Sequence, residues 1–200
     1  MTSGTPFIES WDAGRIKTYD QSHVTGWQTN DTGIEIWSDG ALGFSAYAGF
    51  QQWAEINAYV NGTLSQVISG INAGDQYGFA FAHRGRSSST VADVVRVLVV
   101  DLGIDNAVGG GDDAVLLDQD FADTNTAWGF HTINLGIRAN SNLIRLSFEA
   151  VSTANGNNSI GNFITALSLD QGVGEVPEPA SIGLVACGGI LVAALRRRKQ

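Results

Sequence analysis

Cysteine is almost missing from this chain: Cys187 stands alone among 200 residues. One thiol excludes a disulfide framework and a cysteine-based zinc cluster. Because Cys187 lies in an apolar C-terminal run, the preceding body also has no thiol nucleophile. Lysine is nearly as scarce, with only Lys17 and Lys199. Four of the 11 basic residues crowd the C-terminus at Arg196, Arg197, Arg198 and Lys199, so residues 1–175 hold seven basic against 19 acidic residues, a net −12. Such a body repels nucleic acid and anionic lipid. It suits a soluble extracellular surface with divalent cations as neutralisers.

The helical period is missing too, and alternation with period two takes its place, the signature of half-buried strands. Ile34-Glu35-Ile36-Trp37 alternates. A strand predicted over 53–60 puts Ala54, Ile56, Ala58 and Val60 on one face and Trp53, Glu55, Asn57 and Tyr59 on the other. Tyr77, Phe79, Phe81 and His83 line one face of the next. The β-branched run Val94 to Val100 predicts a strand buried on both faces. Further strands are expected over 128–135, 143–150 and 163–169, separated by Gly, Asn and Asp clusters that supply turns. Short strands in this number, with no helix and no solenoid or propeller repeat, predict an all-β fold: a two-sheet β-sandwich (jelly roll) over residues 1–171. Residues 172–175 read as a linker.

The tail has three ordered parts. Val176-Pro177-Glu178-Pro179-Ala180-Ser181 leads into an uncharged apolar run over 182–195, and Arg196 to Lys199 close it. The run is shorter than the roughly 20 residues that span a bilayer comfortably, so a short, marginal C-terminal transmembrane helix is expected. The terminal cations stay cytoplasmic, which places everything before Val176 outside the cytoplasm. Residues 176–199 resemble the PEP-CTERM sorting signal of Gram-negative bacteria. That resemblance implies an exosortase-type membrane enzyme as partner, a transient anchor in the inner membrane, and delivery to the cell surface or extracellular matrix in organisms that make exopolysaccharide and biofilm. Export calls for an N-terminal signal peptide. Met1 to Pro6 show none, and the expectation is a true start upstream of Met1.

The body carries several polar candidates. Glu55 and Asn57 are predicted beside Trp53 and Tyr59. His83, Arg84 and Arg86 end a strand, Glu149 closes another, and the loop with Asn158 follows it. Brought to one pocket, they would offer directional donors and acceptors beside flat rings, as a sugar site needs. The alternative is an ion-pair network in which Glu55 or Glu149 meets Arg84 or Arg86. Glu55 and Glu149 are also the candidate acid and base of a glycoside hydrolase. No G-x-S-x-G occurs, and His23, His83 and His131 lack metal-ligand spacing, so each is expected to make an ordinary hydrogen bond. Asp101, Asp105, Asp112, Asp113, Asp118, Asp120 and Asp123 supply oxygens of the kind calcium takes, but without EF-hand spacing they read as a solvated acidic loop.

Ordered blocks along the body carry a second resemblance. They include Gly26-Trp27-Gln28-Thr29, Ala54-Glu55-Ile56-Asn57-Ala58, Phe81-Ala82-His83-Arg84-Gly85-Arg86 and Gly156-Asn157-Asn158-Ser159-Ile160-Gly161-Asn162-Phe163. From about Phe7 to Leu169 the chain resembles bacterial surface proteins with a galactose-binding-like jelly roll of carbohydrate-binding-module type. The resemblance implies a structural calcium between the first and last strands, for which Glu9 is the candidate ligand. Ile164 and Thr165 stand where many relatives carry an acidic pair. The expectation is a non-enzymatic, exported protein that binds extracellular polysaccharide, the alternative a purely structural matrix or adhesion protein.

Overall fold

Period-two alternation builds two antiparallel sheets in a computed structural model that describes residues 14–138 and 141–171. The sorting motif from Val176 to Ser181, the basic end from Arg196 to Lys199, Cys187, the linker 172–175 and Glu9 lie outside the described residues. Within those residues no helix is long and apolar enough to cross a membrane. The first sheet runs, edge to edge, β1 (Ile16–Tyr19), β3 (Ile34–Ser38), β4 (Gln52–Glu55), β11 (Phe163–Gln171), β6 (Gln76–Arg84) and β9 (Gly129–Arg138). The second runs β2 (Trp27–Thr29), β5 (Thr63–Ser69), β10 (Leu143–Ser152), β7 (Asp93–Asp101) and β8 (Ala114–Asp123). This is the expected two-sheet sandwich.

The faces that meet are those the alternation marks. Ile34, Ile36, Phe79, Phe81 and Ile164 of the first sheet pack on Leu64, Val95, Val97, Leu146 and Phe148 of the second, all nearly inaccessible to water. Phe79, Phe81 and Phe148 pack with ring centres 5.5 to 6.0 Å apart. Burying each such ring contributes roughly 1.5–3 kcal/mol.

The first sheet is also covered on its outer side. Trp37, Trp53 and Phe163 project outward from three neighbouring strands and are roofed by Ala41, Phe44 and Ala46 of the 39–51 connection, with Trp128 at the margin. Aromatic side chains on both faces explain why Trp53, Ala54 and Glu55 are all buried.

Three sequence expectations need correction. The strand predicted over 53–60 stops at Glu55, because Asp31 Oδ2 accepts hydrogen bonds from the Tyr59 and Val60 amides (2.8 and 3.1 Å) and draws the chain into a bend. Tyr59 is thereby left exposed. The strand Val94 to Val100 is buried on one face only: Val95, Val97 and Val99 are inside, whereas Arg96 is exposed. An antiparallel sheet with one face toward water has this pattern. The acidic stretch is not all loop either. Asp118, Asp120 and Asp123 belong to β8, an edge strand whose charges discourage pairing with other chains.

Candidate functional site

Glu55 ends β4, with Glu35 opposite it on β3 and Phe163 opposite it on β11. It is 1% exposed. Arg86 Nη1 donates to both its oxygens (2.9 and 3.0 Å), and the Gly161 amide donates to Oε1 (2.8 Å). The Arg86 guanidinium lies over the Trp37 ring at 4.7 Å, so a cation–π contact holds it against the outer face. Glu35 accepts from Trp37 Nε1 at 2.6 Å. Burial pushes the Glu55 carboxyl up to about 9; Arg86 and the Gly161 amide pull part of that back, and Glu35 adds to the push. One largely buried guanidinium thus serves both oxygens of a single carboxyl group, while Glu35 is held by Trp37.

A second chain of polar groups threads the sandwich end. Asn57 Nδ2 donates to Asn61 Oδ1 and to the Asn158 carbonyl (2.8 and 3.2 Å). Asn162 Nδ2 donates to Asn57 Oδ1 and to the Ser152 carbonyl (3.1 and 3.2 Å). Asn162 Oδ1 then lies 3.0 Å from His83 Nε2. On the other side of the ring, His83 Nδ1 is 2.8 Å from Asp123 Oδ2, and His131 Nε2 is 2.7 Å from the same oxygen. Asn57, His83 and Asn162 are 0% exposed.

The topology explains the meeting. β6 and β9 are neighbours, so their inward residues His83 and His131 stand side by side, while Asp123 reaches them from the end of β8 in the other sheet. Gly129, paired with His83, makes room: a Cβ there would sit 2.1 Å from Asp123 Oδ1. Burial raises the Asp123 carboxyl, but hydrogen bonds from both histidines and their charge outweigh it and hold the group below the usual carboxylate range.

Outside the first sheet, rings form a shelf. Tyr47 of the roofing connection lies parallel to Phe130 of β9, at 5.7 Å between ring centres and 7° between planes. Trp128 and Phe50 flank Tyr47 at 6.3 and 6.1 Å. Phe130 is 53% exposed. Beside them, Arg84 donates from Nε and Nη2 to the Asn125 carbonyl (3.1 and 2.7 Å) and lies over Phe44 at 4.9 Å.

The single polar pocket expected from sequence therefore divides. Glu55 with Arg86, and Asn57 with the Asn158 carbonyl and His83, are brought together as internal networks. Arg84 projects from the outer face. Glu149 is exposed in the second sheet, opposite Thr63 and Arg96. Glu55 and Glu149 are thus on different sheets, which removes them as an acid–base pair. Trp53, expected as a sugar-facing ring, is buried, and its Nε1 has no hydrogen-bond partner among the described residues.

Sequence reasoning missed the convergence of His83, Asp123 and His131, since neither the 83–131 spacing nor an acidic residue on β8 signals contact. It also missed Tyr47 and Phe130; a Trp128-Gly129-Phe130 segment at a strand start was the available hint. Among the described residues two groups bring three ligating atoms within 4.8 Å: His83 with Asp123 and His131, and Asp105 with Asp112 and Asp113. The carboxylates of the second group accept backbone amides of Ala107, Ile104 and Gly109 in their own turn.

No protein-family model and no curated protein matches the chain. Solved structures are similar at low identity. A family 61 carbohydrate-binding module in complex with β-1,4-galactotriose matches with 16% identity over 74% of this chain and 90% of its own, at a TM-score of 0.49. A xylan-binding domain of family 22 matches with 12% identity over 74% and 88%, TM-score 0.49. The C-terminal family 22 module of Clostridium thermocellum Xyn10B matches with 12% over 74% and 87%, TM-score 0.48.

Proposed function

We propose that this chain is a non-catalytic carbohydrate-binding β-sandwich, exported by an exosortase-type route and held at the cell surface or in an exopolysaccharide matrix. The observation that carries the binding role is the shelf of Tyr47 and Phe130. The Phe130 ring, more than half exposed and backed by the stacked Tyr47 ring, offers a flat apolar surface to the C–H face of a sugar. Arg84 and the exposed Thr132 flank it on the same sheet face as donors for hydroxyl groups. Glu55, Asn57, His83, Arg86 and Asn158 then act as supports that fix the surrounding loops. Their commitment to internal partners also favours a second reading, a purely structural matrix protein with no ligand.

A glycan array separates the two. The parent protein is expected to retain at least one polysaccharide, and Phe130→Ala and Tyr47→Ala to weaken that binding by about tenfold, the equivalent of one aromatic contact, with the β-type circular dichroism spectrum retained. Parent protein that retains no glycan leaves the structural reading.

A further inference from the structure

The amide chain fixes which nitrogen of His83 carries hydrogen. Main-chain carbonyls only accept, so the groups of Asn57 and Asn162 that face the Asn158 and Ser152 carbonyls are their NH2 ends. Asn162 Oδ1 is left as an acceptor 3.0 Å from His83 Nε2, and Nε2 therefore bears the hydrogen. In a neutral ring the opposite nitrogen, Nδ1, is then a bare lone pair. It nonetheless lies 2.8 Å from the Asp123 carboxyl oxygen, itself an acceptor. Two lone pairs do not rest at that separation, so a cation belongs between them: a proton or a metal ion.

The surroundings favour a metal. The same Asp123 oxygen also meets His131 Nε2, so two imidazole nitrogens and one carboxylate oxygen converge within 4.8 Å. We propose that His83 Nδ1, His131 Nε2 and Asp123 Oδ2 bind a divalent transition-metal ion of the zinc class, with Asn162 Oδ1 orienting the His83 ring from behind. A ligating histidine characteristically gives its other N–H to such an acceptor. Two nitrogens and one oxygen suit zinc, whereas calcium needs six to eight oxygens. Bonds of about 2.0–2.1 Å in a tetrahedral site set ligands roughly 3.3 Å apart, so Asp123 must withdraw by about half an ångström from each ring, and the two ring nitrogens, within 4.8 Å of each other, must settle at that same spacing. It stands at the end of an edge strand with its side chain 18% exposed, and His131 is 23% exposed, which gives the ion an entry path and a fourth position open to solvent. Bound there, the ion ties β6 and β9 of one sheet to β8 of the other.

The test uses the whole chain, stripped by chelator and titrated with zinc chloride, calcium chloride and cobalt chloride. Zinc should bind and raise the melting temperature, calcium should not reproduce the effect, and cobalt should show the intense visible absorption of a tetrahedral nitrogen–oxygen site. Asp123→Asn and His131→Ala should weaken zinc binding by more than about a hundredfold, beyond the effect of losing an outer partner alone. His23→Ala, at an exposed histidine, should leave it unchanged. Should a site variant not fold, the cobalt spectrum of the parent decides by itself. Absence of that spectrum, or zinc affinity indifferent to both substitutions, overturns the proposal and assigns the bridging position to a proton.

Discussion

Replacing Glu55 by alanine tests the central claim about the polar corner, that it is an internal support. The substitution removes the acceptor of three hydrogen bonds, two from Arg86 and one from the Gly161 amide. A buried amide left without a partner costs about 1–3 kcal/mol. Leaving the Arg86 guanidinium, whose side chain is 20% exposed, without its acceptor forfeits hydrogen bonds to a charged donor, worth about 1.5–3 kcal/mol. The expected loss is therefore about 3 kcal/mol or more, read as a fall in denaturant midpoint at unchanged slope. Glu55→Gln keeps the shape and one acceptor and is expected to be milder.

Its pH dependence carries further information. A carboxyl raised to about 9 in the fold, from an ordinary value of 4.5, binds a proton that the unfolded chain has released. Its contribution is complete below the unfolded value and is lost as pH rises toward the folded one. The parent's advantage over Glu55→Gln should consequently be largest near the acid end of this window and shrink toward its alkaline end. A Glu55→Ala loss below about 1 kcal/mol, or an advantage that grows with pH, would refute the reasoning.

Gly129→Ala should destabilise by roughly 1–3 kcal/mol, since its Cβ would occupy the place of the Asp123 carboxylate. Gly78→Ala in the neighbouring strand, where the nearest atom is 3.9 Å away, is the control and should cost little by the same denaturation assay. Replacing Arg196 to Lys199 with neutral residues removes the topological signal of the tail. In an exosortase-bearing host, with a signal peptide supplied, surface immunolabelling of that variant should fall, and unchanged display would count against the sorting role.

The inward lines of the strands were legible because alternation is a property of each strand alone. Tyr77, Phe79, Phe81 and His83 share a buried face whatever their neighbours, as a period of two requires. The pairing of Glu55 with Arg86 stood among the alternatives the residue types allow, yet nothing local chose it over Glu149. β8 hid behind its aspartates, whose charges suit an exposed edge as well as a loop. The expected end of β4 failed for a comparable reason, since Asp31, far away in sequence, holds the bend that follows it.

The sequence by itself determined an acidic, disulfide-free, all-β body of strands with alternating faces, because composition and alternation act over a few residues. Only the tertiary structure decided that His83 and His131 become neighbours, that Asp123 crosses to them from the other sheet, that Glu149 faces away, and that Tyr47 meets Phe130. Those contacts depend on strand order and on the paths of the connections. These are settled by how the whole chain buries its apolar faces together, a non-local balance that no short stretch of residues contains.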